Sequence, residues 1–368
     1  MTQTDVFIIG GGPAGLAAAI AARRAGFAVI LADSAKPPID KACGEGIMPD
    51  GLAALAELGV TLPAQNTAVF QGIRFLDSEH SAEAYFQKGH GAGIRRTVLH
   101  PLLVEHASRS GVSMHWGSRV TGLSQNRVQM DGREISCRWI VGADGMNSRT
   151  RAWAGLEHIS QKKVRYGFRR HFAVEPWSKF VEVHWTGRGQ LYITPVSDRE
   201  ICVALVTHER TLCVADAIAA CSSVPTALRT AASCTREQGA LSACFRLKSV
   251  VRGSCALIGE ASGSVDSVTG EGMSLAFRQA LALEKALREN DLSLYQKAHR
   301  KIMGLPAIMA DLMLLMDRQP GLRRRALSAL SRRPDLFGRM LAIHAGSASP
   351  LAMGLCGTTS LGWHMLTA

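Results

Sequence analysis

Apolar and polar positions along this chain switch between two periods. Residues 6–9 (VFII) form a short apolar run, a glycine turn follows, and LAAAIAARRAG then continues as a small-residue helix. FAVILAD is a second apolar run, so the first 35 residues read as strand, turn, helix, strand. KPPIDKACGEGIMPDGLAALAELG begins with Pro and Gly and predicts a loop, with Asp50 placed to cap the helix after it. Residues 68–90 alternate as strands do. Val98, Leu99, Leu102, Leu103 and Ala107 recur at helical spacing behind Arg95 and Arg96. Residues 112–147 predict further strands, the last running into GADGMNS. Residues 163–250 mix charged and aromatic positions, which predicts antiparallel strands with one solvated face, and residues 216–232 predict a helix. CALIG is a buried strand that leads through a Gly/Ser loop into a helix from about Gly272. The tail, 291–368, is Leu/Met/Arg-rich and helical, with Pro306, Pro320 and Pro334 expected to break it into short pieces.

The 368 residues allow a large core, and 47% hydrophobic with 20% charged content is ordinary for a globular chain. The nine cysteines are odd in number and form no CxxC pair, which points to a reduced, cytoplasmic chain without a disulfide framework or zinc site. No signal peptide and no spanning helix are expected. The net charge of +12 suits an anionic cofactor or membrane surface, and without a recognised motif it gives no case for nucleic acid.

The first turn carries the sharpest chemistry. Gly10, Gly12 and Gly15 stand at GxGxxG spacing between a strand and a helix. Gly10 permits the tight turn, Gly12 the approach of a pyrophosphate, and Gly15 close packing of helix on strand. The helix N-terminus offers free N–H groups to phosphate. Asp33 ends the second strand, where an acid bonds a ribose hydroxyl. Cys43 and Glu45 lie in the loop Cys43-Gly44-Glu45-Gly46, whose glycines suggest backbone close to a ligand; a turn with a buried cysteine is the plainer alternative. Gly270-Glu271-Gly272 precedes a helix and suits phosphate or ring contact. An anionic partner would explain a cation at the helix start near Arg96.

GGGPAG at 10–15, GADGMNS at 142–148 and IGEASGSVDSVTGEGMSLAF at 258–277 together resemble the flavoprotein superfamily typified by p-hydroxybenzoate hydroxylase. The resemblance covers about residues 1–290. It implies an α/β, Rossmann-like FAD-binding domain with an inserted antiparallel β-sheet substrate domain, followed by a helical C-terminal tail. The corresponding division is 1–76, 93–160 and 248–290 for FAD binding, 77–92 and 161–247 for the sheet and substrate domain, and 291–368 for the tail. By the same resemblance FAD would be held by Gly10, Gly12, Pro13, Ala14, Gly15, Asp33, Arg96, Asp144, Gly145, Gly259, Glu260, Gly270, Gly272 and Met273. Glu260 stands where the family's commonest pattern has Asp. Cys43, Glu45 and Glu271 are the candidates beside the flavin ring. The loops are similar to those of the geranylgeranyl reductase-like and CbrA-like branch, and the halogenase pattern WxWxIP is absent.

The function so implied is an FAD-dependent monooxygenase driven by NAD(P)H, acting on a small apolar organic substrate. A C=C reductase of an isoprenoid or polyketide is the first alternative, and a non-catalytic electron-transfer flavoprotein the second. With no second GxGxxG, NAD(P)H would dock transiently, or an external flavin reductase would supply electrons. The basic clusters Arg323–Arg325 and Arg332–Arg333 beside apolar stripes suit peripheral membrane contact, with helices packed on the body as the plainer alternative.

Overall fold

A computed structural model describes residues 2–157 and 159–349. Residues 350–368 of the expected tail lie outside the described residues.

The first sheet is built on the strand Thr2–Ile9, whose Val6, Phe7 and Ile8 are wholly buried. It pairs in parallel with Val29–Asp33 on one side and Arg133–Gly142 on the other. Ser113–Trp116 and Cys255–Leu257 extend the sheet outward, also in parallel. One face packs on the helices Pro13–Arg24 and Gly272–Arg288, where Leu16, Ile20, Phe277 and Leu283 meet Ile8 and Leu31. Alanines fill half of the first helix and let it lie close to the sheet. The opposite face turns Phe7, Ile9 and Ile30 toward Val120, Val128 and Met130 of an antiparallel hairpin.

The second sheet has eight strands and takes up the chain from Gly72. Its centre is the run Ile159–Phe172, Ile201–Thr207, Gly189–Pro195 and Phe180–Trp185, antiparallel throughout. The strand Gly72–Leu76 adds to Phe180–Trp185 in parallel. The expected solvated face is not found in the middle strands: every residue of Gly189–Pro195 and Ile201–Thr207 is buried. Both faces are covered. Leu191, Ile193, Val203 and Leu205 pack under the short helices Val214–Ala220 and Thr226–Thr230. Val183, Tyr192, Ala204 and Val206 face Ala307, Ala310, Met313 and Leu327 of the C-terminal helices. The single helix expected over 216–232 is therefore two, parted before Pro225.

The tail also departs from expectation. Pro306 lies inside one continuous helix, Leu292–Arg318, and does not end it. Pro320 and Pro334 sit in the first turns of the next two helices, Pro320–Arg332 and Pro334–His344, where a missing N–H costs nothing. No helix among the described residues is long and apolar enough to cross a membrane.

Arg165 fastens the tail to the sheet. It is 1% exposed and donates Nη1 to Asp266 Oδ1 at 3.0 Å, with Asp317 Oδ2 of helix Leu292–Arg318 at 3.5 Å. Removing one partner of a buried pair leaves the other charge unsatisfied. Arg165→Ala is expected to cost about 3–5 kcal/mol, read as a lower urea midpoint; an unchanged midpoint would show the pair to be unimportant.

Candidate active site

The first glycine turn has the geometry its residues imply. Gly10 has φ +111° and a Cβ there would meet Ala143 O at 2.4 Å; one on Gly15 would lie 1.8 Å from Gly10 O. At Gly12 the space is open, with Arg96 Nη2 the nearest atom at 3.8 Å. The helix Pro13–Arg24 has no acid in its first turn and no side-chain cap, so its N-terminal N–H groups face the opening unsatisfied. Of the two arginines at 95 and 96, Arg95 pairs with Glu200 at 3.3 Å. Arg96 borders the cavity, and its buried Nε has no partner. A helix N-terminus beside an unpaired guanidinium fits a diphosphate.

Asp33 fastens the turn. Its Oδ2 accepts from Gly11 N at 2.6 Å and its Oδ1 from Ala35 N at 2.7 Å. Each oxygen keeps a second lone pair, which a ribose hydroxyl can use. The motif did not expose two further supports. Trp116 lies where a Gly11 side chain would be, at 2.2 Å, and the His100 Nε2 is 2.8 Å from Gly11 O.

From this turn a cavity of about 1050 Å³ runs past Pro13, Ala14, Gly145, Gly259 and Glu260 to Gly270, Gly272 and Met273. A second uncapped helix N-terminus, that of Gly272–Arg288, opens onto it. Glu260 meets Lys41 Nζ at 2.5 Å, both partly exposed, so the acid at the position expected for the ribityl chain already has a cation beside it. Asp144 borders the cavity but is committed to the chain's own backbone. Its Oδ2 accepts from the N–H groups of Arg149 and Thr150, and its Oδ1 from Ser148 Oγ. It thus caps the short helix after it, and Gly145, with φ +77°, makes the turn.

Glu45 and Cys43 border the cavity without being free to react in it. Glu45 is wholly buried with φ +58°. Its Oε1 accepts from Arg96 N and Arg169 Nη1, both at 2.9 Å, and its Oε2 lies 2.6 Å from His171 Nε2. Arg169 also reaches Asp40 at 2.9 Å. Cys202 lies in the same cluster, within a metal-binding distance of Glu45 and His171. A carboxylate already held by a guanidinium suits an ion-pair network better than a metal, and burial pushes the Cys202 thiol far up. Burial likewise raises the Cys43 thiol, which keeps it protonated. Arg165, Arg169 and His171 occupy alternate positions of one strand, all buried; that parity was the available signal for an inward charged row.

Glu271 is the candidate that remains chemically available. It is 1% exposed, borders the cavity, and its Oε2 has no hydrogen-bond partner. His344, from the last described helix, also borders the cavity, with Nδ1 3.6 Å from that oxygen. Desolvation raises the Glu271 carboxyl well above its usual range, and the Asp50 charge adds to this against Arg278. Desolvation lowers His344. Asp50 itself pairs with Arg278 at 2.9 Å. Burial thus favours the neutral acid and the neutral imidazole, which face each other at the cavity wall just beyond hydrogen-bond distance.

Part of the same cavity wall is apolar, a chamber lined by Phe70, Phe75, Val183, Tyr192, Met313, Met316 and Phe337. Apart from Phe70, which ends the strand Thr67–Phe70, its walls come from the second sheet and from the C-terminal helices.

The family model described as an FAD binding domain matches residues 3–290. The chain belongs to this family of FAD-dependent oxidoreductases. Among curated relatives, it is 31% identical to the menaquinone reductase of Mycolicibacterium smegmatis over 48% of this chain and 47% of that one. It is 28% identical to the putative FAD-dependent monooxygenase YetM of Bacillus subtilis, over 48% and 50%. It is 27% identical to digeranylgeranylglycerophospholipid reductase 1 of Methanothermobacter thermautotrophicus, over 44% of each. The matched stretch spans about half the length of these relatives. The fold is that of a flavoprotein/dehydrogenase from Cytophaga hutchinsonii, with TM-score 0.84 at 18% identity over 99% of this chain and 98% of that one. The flavin-dependent brominase Bmp2 is similar too, with TM-score 0.82 at 18% identity over 100% and 99%.

The open space at Gly12 beside the partnerless Arg96 Nε would accommodate the diphosphate of FAD. Arg96→Ala removes a charge-assisted contact of about 1.5–3 kcal/mol, so FAD affinity should fall roughly 10–100-fold in a fluorescence titration; unchanged affinity would contradict the assignment. Glu271 makes a separate prediction. Its folded pKa is raised, so the stability it contributes is full below the unfolded value of 4.5 and is lost as pH rises toward the folded value. Glu271→Gln should therefore gain in melting temperature over the parent progressively as pH rises from 4.5 toward the folded value. A difference independent of pH would mean the carboxyl is ionised in the folded protein.

Proposed function

We propose that this flavoprotein is an NAD(P)H-driven monooxygenase for an apolar organic substrate. The observation that carries the proposal is the apolar part of the cavity wall, the chamber lined by aliphatic, aromatic and methionine side chains. Such walls favour apolar carbon over water and leave substrate selection to shape. Methionines at 303, 309, 313, 316 and 340 add a soft lining that adapts to irregular apolar shapes.

FAD supplies the two-electron redox chemistry and the reaction with oxygen. The overall balance is substrate, O₂, NAD(P)H and a proton giving oxygenated substrate, water and NAD(P)⁺. The chain's own residues have three tasks. Helix N-termini and Arg96 hold the cofactor, the apolar walls hold substrate and exclude water, and Glu271 with His344 holds a proton at the cavity edge. The electron donor docks transiently, since the sequence has a single GxGxxG; an external flavin reductase is the other source.

A second reading, reduction of an activated C=C bond, is favoured by the Glu271–His344 pair. Hydride addition to one carbon requires a proton for its neighbour, and a neutral buried carboxyl can donate it.

Oxygen uptake by the FAD-loaded protein with NAD(P)H separates the two. The proposal predicts uptake that rises on adding a long-chain alkylphenol, with one oxygen atom recovered in the product. Anaerobic oxidation of NAD(P)H coupled to saturation of a polyprenyl C=C bond would overturn it in favour of the second reading.

A further inference from the structure

The outer face of helix Leu292–Arg318 is unusual for a protein surface. Ile308 is 63%, Leu312 37% and Leu315 42% exposed, and their spacing puts them on one face. Leu312 and its neighbour Met309 also line the cavity, so the stripe stands at a mouth of the chamber. Leu241, 52% exposed, lines the cavity from the strand Gln238–Leu247. Arg246 of that strand reaches Asp311 of the helix at 3.5 Å, which ties the strand to the helix.

The charges around the stripe are cationic. Exposed Lys301 lies on the stripe's own face at one end and exposed Arg318 flanks it at the other, and exposed Arg324 and Arg325 follow on the next helix. The two acids of this stretch are engaged, Asp311 with Arg246 and Asp317 with Arg165. An apolar stripe with cations at both ends and a net charge of +12 complements an anionic bilayer.

We propose that this face docks the enzyme on the surface of an anionic lipid bilayer, with the mouth between Leu241 and Leu312 turned toward the lipid so that an apolar substrate passes from membrane to chamber without crossing water. The inference rests on the apolar substrate proposed above. Apolar side chains supply the interfacial insertion, and each cation near the surface strengthens partitioning about fivefold. The helix lies on the membrane and does not span it.

Co-sedimentation with vesicles of phosphatidylcholine and phosphatidylglycerol, against phosphatidylcholine alone, tests this. The FAD-loaded full chain should bind the anionic vesicles more tightly and be released by salt. The double variant Ile308→Glu/Leu315→Glu should bind about tenfold more weakly or less. Neither residue lines the cavity, so FAD content and turnover of detergent-dispersed substrate should stay as in the parent. Absence of vesicle binding, or equal binding by the variant, would overturn the proposal. So would a parent that is dimeric by light scattering and a variant that is monomeric, because the stripe would then be a contact between two copies. Vesicle binding is read without turnover, so intact binding with no oxygenation would count against the function alone.

Discussion

One strand holds the two loops that edge the cavity. Arg165 and Arg169 lie on the same side of Ile159–Phe172; the first grips Asp266 in the loop before helix Gly272–Arg288, and the second grips Glu45 in the loop 39–46. Both pairs are sealed from water. A buried ion is tolerated only where its partners satisfy it, so these contacts set position as well as charge balance. Glu45 extends the hold to Arg96 N, which places the start of a helix beside the first glycine turn. The second sheet is thereby locked to the FAD-binding sheet at the points that shape the cavity.

The chemistry follows from what this lock leaves unsatisfied. Two helix N-termini and the Arg96 guanidinium face the cavity without partners, and together they suit the anionic length of FAD. Two loop acids expected at the cofactor are already engaged, Asp144 as a cap and Glu45 as an anchor. Glu271 is different because its buried Oε2 has no hydrogen-bond partner, and it meets an imidazole carried by the tail. The C-terminal helices thus complete the site: they wall the chamber, bring His344 to Glu271 and place an apolar stripe at the mouth.

The glycine turn, the parallel strand order's beginning and the helix from Gly272 were legible because each rests on local constraints of backbone and period. The family resemblance extended that reading to the later loops. What escaped depended on tertiary contact. The strands around 189–207 looked half-solvated because nothing local reveals that helices cover both faces. Pro306 looked like a break, yet it is buried within a helix held by the packing around it. The charged positions of VRYGFRRHF read as a wet surface; the partners of Arg165 and Arg169, Asp266 and Glu45, are distant in sequence. His344 had no signal at all, since its meaning comes only from the side chain it meets.

The central claim is that one cavity holds FAD and an apolar substrate side by side, with the tail as part of its wall. Titration of the FAD-loaded protein with alkylphenols of increasing chain length, read in the flavin absorbance, tests it most directly. The account predicts a perturbed flavin spectrum and an affinity that rises with length, by up to about 0.8 kcal/mol per buried methylene until the chamber is full. A spectrum that does not change, or an affinity indifferent to chain length, would contradict it.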